Sequence, residues 1–202
     1  MKKKKKVQNH KFNLIDEYKK CLIYLRESKN FIYITLGIFF LFVFIGFFLP
    51  TPEPIYTQLI DFMKKLLNET QDMSYFELIK FIIGNNVQST FFVITGGFFI
   101  GVFPIVNAVV NGYLIGFVSS LSVNAEGILS LWKILPHGIF ELPAVFISLG
   151  IGLKFGTFIF QKKKLDSFKN YLLNSIRIFL LIVIPLLIIA GIIEGSLIYL
   201  LK

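Results

Sequence analysis

Three ionisable side chains fall inside long apolar runs of this 202-residue chain: His137, Glu141 and Glu194. At membrane depth such groups are costly, so each points to proton movement, ion binding or a buried polar contact. His137 and Glu141 are four residues apart, and a helix places them on one face within reach of each other. Ala144 and Ser148 continue that stripe. The pair is a poor zinc site, because zinc takes three or four ligands and the only other histidine is His10 in the N-terminal tail. The order His137-Gly138-Ile139-Phe140-Glu141 also lacks the H-E-x-x-H spacing, and there is no G-x-S-x-G or P-loop. Ser148 shares a face with His137 only about three turns away, too far for a nucleophile and its base. The expectation is a non-enzymatic protein without metal or cofactor. His137, Glu141 and Glu194 would form an intramembrane polar cluster with Asn86, Asn107 and Asn111, which fixes helix register.

The runs that carry these residues set the fold class. The chain is 55% hydrophobic and 16% charged, with a mean hydropathy of +0.72, against about 25% charged residues in a soluble domain. Its single cysteine, Cys21, leaves no intramolecular disulfide. Residues 31–49 and 85–125 hold no charge, 134–153 hold only His137 and Glu141, and 178–193 are uncharged up to Glu194. A crossing needs about 20 apolar residues, so the 85–125 run divides into two passes, with a turn placed at Gly101-Val102-Phe103-Pro104. The result is an all-α polytopic bundle of five transmembrane helices at about 31–49, 86–102, 104–122, 134–153 and 177–198.

Lysine and arginine orient it. Ten of the 21 basic residues lie in the tail, residues 1–30, and six lie between Lys154 and Arg177, around the basic loop 154–176. Five alternating spans put both segments on one side, which the positive-inside rule makes cytosolic, with the N-terminus inside and the C-terminus outside. The net charge of +9 is then assigned to topology and anionic headgroups rather than to nucleic acid. The external segment 51–84 reads as two amphipathic interfacial helices, one carrying Leu59, Phe62, Met63, Leu66 and Leu67. The other begins at a capping box, Ser74-Tyr75-Phe76-Glu77. In the tail, Ile15, Tyr18, Leu22 and Leu25 share a face.

Small residues mark close helix approach: Gly97 and Gly101, the row Ala108/Gly112/Gly116, Gly138 and Ala144, and, beside a helix-interior proline, Pro185. Packing within one chain is the preferred use of the Ala108/Gly112/Gly116 row, with a homodimer interface as the alternative.

Four stretches carry a family resemblance. They are Asn86 to Gly116 (N-V-Q-S-T-F-F-V-I-T-G-G-F-F-I-G, then N-A-V-V-N-G-Y-L-I-G), His137 to Ala144, Ile184 to Glu194, and Arg26-Glu27-Ser28-Lys29 leading into the first span. Together they are similar to the core of the stage II sporulation protein M family. The resemblance implies a multipass membrane scaffold or membrane-remodelling component with membrane or cell-envelope protein partners. In spore formers the family's namesake holds peptidoglycan hydrolases in the complex that remodels septal wall. Members also occur in organisms that form no spores. The positions carried over are Asn86, Asn111, Gly112, Gly116, His137, Gly138, Glu141, Pro185 and Glu194, none of them as catalytic residues. The alternative function is a small transporter or channel subunit using the His/Glu cluster.

Overall fold

Helix formation starts at Asn13, whose side-chain oxygen accepts a hydrogen bond from the Ile15 N–H at 3.1 Å and caps α1, Leu14–Phe48. The structure, a computed structural model, describes residues 13–133 and 135–200, without the side chains of 132–137. The amphipathic stretch of the tail and the first span are therefore one helix of 35 residues. At 1.5 Å per residue it is about 50 Å long, well beyond the ~30 Å of hydrocarbon, so its first turns project from the apolar zone. It stops at Leu49, which the following Pro50 holds in an extended conformation (φ −93°, ψ 141°).

α2, Glu53–Thr70, begins behind Pro52 with Pro54 in its first turn. α3, Tyr75–Gly96, opens on the capping box, where the Ser74 N–H donates to Glu77 Oε2 at 3.0 Å. Only one of the two expected interfacial helices is separate. The second is the first half of α3, because no proline lies between Glu77 and Asn86 and the helix runs on through Gly84. The chain then turns through 97–101, with Ile100 at φ +57° and Gly101 at φ +73°, into α4, Val102–Glu126. Gly127, at φ +85°, ends α4. A 3-10 turn, Ile128–Lys133, leads to α5, Leu135–Gly156, which carries Pro143 without ending.

The basic segment after α5 is mostly helical rather than a loop. It runs through a 3-10 turn, Thr157–Phe160, into α6, Lys164–Ile178. α6 joins α7, Ile184–Leu200, through a π-helical turn, Phe179–Val183. Pro185 has no N–H to offer the preceding turn, and there the Ile184 N–H reaches back five residues to the Phe179 carbonyl. Pro185 itself is exposed. Its place beside the register slip, not helix packing, is what the structure assigns to it.

Among the described residues, five helical stretches are long and apolar enough to cross a membrane: α1, α3, α4, the stretch 138–160 that includes most of α5, and the continuous α6–α7. Among the described residues there is no strand. The stretch containing α5 is the most buried of the five. α1 packs on α4 and α5, while α7 packs on α3 and α5. The Ala108/Gly112/Gly116 row faces α1. Ala108 is fully buried, a Cβ on Gly112 would strike the Phe39 carbonyl oxygen, and one on Gly116 would strike that of Val43. The surface considered for a homodimer is thus covered within the chain. At the turn, Gly97 lies against the backbone of Gly152, and Gly101 against Leu153. Ala144 is fully buried in the core cluster. Gly138 makes no comparable approach, since among the described residues a Cβ there would meet only Leu142 of its own helix.

Candidate functional site: a polar cavity in the bundle

Where α1, α3, α4 and α5 meet, the packing leaves a cavity of about 120 Å³. Its walls combine apolar side chains, including Phe39, Val93 and Ile115, with several polar ones. α5 contributes Glu141 and Ser148, α4 contributes Asn107 and Asn111, and α3 contributes Asn85, Asn86, Ser89 and Thr90. Helical periodicity does the positioning. Glu141, Val145 and Ser148 form one stripe of α5, Asn86, Thr90 and Val93 one stripe of α3, and Asn107 and Asn111 are one turn apart on α4.

The local hydrogen bonds give the lining a polarity. Ser148 Oγ, fully buried, donates to the Ala144 carbonyl at 2.8 Å. Thr90 Oγ1, also buried, donates to the Asn86 carbonyl at 2.7 Å. Each hydroxyl spends its proton on its own helix and keeps only lone pairs for another partner. Asn111 Nδ2 donates to Asn107 Oδ1 at 2.7 Å and to the Asn107 carbonyl at 2.9 Å, so the Asn111 side chain keeps its oxygen free. Both bonds run inside α4, so this pair does not bridge helices as amide glue does. Glu141 is half-buried and makes no side-chain hydrogen bond among the described residues.

Four of the six residues expected to cluster therefore meet in the cavity: Asn86, Asn107, Asn111 and Glu141. Glu194, on α7, does not line it. Its Oε2 is buried without a hydrogen-bond partner, yet its carboxyl is close enough to interact electrostatically with that of Glu141. The side chain of His137 lies outside the described residues. Asn85, Ser89, Thr90 and Ser148 complete the wall. The four-residue spacings 85–89 and 86–90 on α3 were the signal for the first three, obscured because Asn85 and Asn86 read as the start of a span, while Ser148 continues the Glu141 stripe of α5.

A second polar cluster sits at the end of the bundle where α1 begins. Lys154 is 6% exposed, its Nζ lies 3.2 Å from Ser28 Oγ and 3.5 Å from Glu27 Oε2, and it stands 3.8 Å above the Tyr24 ring. Arg177 of α6 pairs with Glu17 of α1. These contacts bring the described start of α1 and the basic segment between Lys154 and Arg177 to one end of the bundle. Glu27 is 60% exposed, so the aromatic face and Ser28 carry most of the burden of holding the buried ammonium.

Comparison with known proteins gives a consistent assignment. Residues 35–197 match the family described as stage II sporulation protein M. An uncharacterised protein of Methanocaldococcus jannaschii is 30% identical over 132 residues, which cover 58% of this chain and 74% of that protein. No solved structure matches the chain.

Proposed function

The chain belongs to the stage II sporulation protein M family, and from that premise we propose that it is a non-enzymatic, multipass scaffold of the cell membrane that gathers partner proteins of the membrane or envelope. The observation that carries this reading is α2. It is a complete amphipathic helix with no buried residue, and Ile55, Phe62 and Leu67 stay exposed on it. Near its start Tyr113 Oη donates to Thr51 Oγ1 at 3.0 Å and the Tyr56 ring meets that of Phe117. A helix that adds so little to the bundle's own core is suited to contacts outside it. In this reading the basic end of the bundle faces the cytosol and anionic headgroups, and α2 lies on the outer surface.

The test compares partners recovered from gently solubilised native membranes by wild type and by a Phe62→Asp, Leu67→Asp double variant. Both side chains are exposed, so the variant should insert and melt like wild type. Loss of a stoichiometric partner in the folded variant supports recruitment through α2. An identical partner set contradicts it. A second reading, a small transporter or channel subunit, is favoured by the polar cavity. Proteoliposomes that show no flux of protons, sodium or potassium would remove it.

A further inference from the structure

We propose that the cavity between α1, α3, α4 and α5 is a binding site for one dehydrated monovalent alkali cation, coordinated by Glu141, Asn111, Thr90 and Ser148. The inference does not depend on the scaffold reading. Three features of the lining select this occupant. First, the hydrogen-bond directions described above leave acceptors. Thr90 Oγ1 and Ser148 Oγ have given their protons to backbone carbonyls, and the Asn111 amide nitrogen is engaged by Asn107. Oxygen-bearing side chains from three helices therefore line one cavity with acceptors to offer, and such an array can replace a cation's hydration shell.

Second, the site holds a carboxyl group with no hydrogen-bond partner among the described residues. That group is Glu141, and on the neighbouring α7 Glu194 Oε2 is likewise buried without a partner. A carboxylate at this depth needs a cation, another partner or water beside it. Third, the ligands are hard and nearly neutral. Among the described residues no three of His, Cys, Asp or Glu come together, so the donors do not suit a transition metal, and a single carboxylate balances a single positive charge. About 120 Å³ accommodates the ion with a few waters to complete its shell.

A bound ion would join α3, α4 and α5 through the oxygens it draws together. The measurable consequence is that the folded bundle binds the cation and the unfolded chain does not, so stability rises with its concentration. Full-length protein in nanodiscs, held in N-methylglucamine chloride, is titrated with NaCl and with KCl at constant ionic strength while Tm is read. Radioactive sodium binding gives a direct check of affinity. The expected result is a saturable Tm rise with at least one alkali ion, beyond the effect of the bulky organic cation. Glu141→Gln and Asn111→Ala should each weaken the apparent affinity at least tenfold. The double variant Thr90→Val, Ser148→Ala keeps the charge and should weaken it comparably, which covers the case of a Glu141→Gln protein that fails to fold. Equal Tm values in all three salts would overturn the proposal. So would an alkali-specific rise of unchanged affinity in the variants, because it would place the ion elsewhere.

Discussion

Replacing Gly152 by alanine tests how the bundle is held together. A Cβ there would lie 2.6 Å from the Val93 carbonyl oxygen and 2.8 Å from Pro104 Cγ. Neither neighbour can swing away, one being helix backbone and the other a ring. Restoring contacts near 3.5 Å requires α3 and the start of α4 to retreat by roughly 0.7–0.9 Å. Overpacking of this kind costs about 1–3 kcal/mol, and replacing a helical glycine by alanine returns about 1 kcal/mol. The net expectation is a loss of about 1 kcal/mol, a fall in Tm of roughly 2–4 °C for a chain of this size. Gly37→Ala is the matched control, since nothing lies within 4 Å of a Cβ at that position. It should show the propensity gain alone, a rise of about 2–4 °C. Thermal unfolding of both variants in one detergent, followed by circular dichroism, separates them. A Gly152→Ala protein as stable as Gly37→Ala would refute the close approach of α5 to α3 and α4.

Further perturbations probe other parts of the molecule. The Tyr24 hydroxyl is buried without a well-formed hydrogen bond, so Tyr24→Phe should leave stability unchanged or raise it by up to about 1 kcal/mol. Tyr24→Leu removes the ring beneath Lys154 and should cost at least about 2 kcal/mol in lost packing and cation–π attraction, a contrast readable in the same melts. Ile100 is β-branched at φ +57°, a conformation that costs such a residue about 1–2 kcal/mol; Ile100→Gly should therefore raise Tm, and a fall would show that its side chain matters more than its backbone. Gly116→Leu, aimed at the Val43 backbone, should prevent a folded monomer from accumulating, as judged by size-exclusion chromatography. A monodisperse, wild-type-like profile would contradict the α1–α4 contact.

Much of this fold is legible in the sequence because the bilayer imposes few choices. Uncharged runs of sufficient length name the spans, and the distribution of lysine and arginine names the segments that share an end, as the contacts of Lys154 and Arg177 bear out. The boundaries are less legible. Glu77, Lys80, Asn85 and Asn86 look like a polar edge to the second span, yet they sit inside α3, because amides are acceptable at depth when a cavity receives them. Likewise the tail merges with the first span, since no proline or glycine lies between Leu14 and Thr35 to interrupt it. Residue types flagged the cluster, but not its membership. Glu141 and three asparagines meet as expected, whereas Glu194 stays one helix away, because which faces converge depends on helix rotations that hydrophobicity hardly encodes. Lys154 illustrates the same limit: counted as a topological charge, it is a buried group held over an aromatic ring.

The most direct test of the scaffold reading is native mass spectrometry of the tagged protein released from its own membranes in mild detergent. The reading predicts a discrete species whose mass is that of this chain plus a second protein in fixed ratio, lost on substitution of Phe62 and Leu67 by aspartate. Detection of only the bare chain, or of multiples of it with lipid, in samples that melt cooperatively would contradict it.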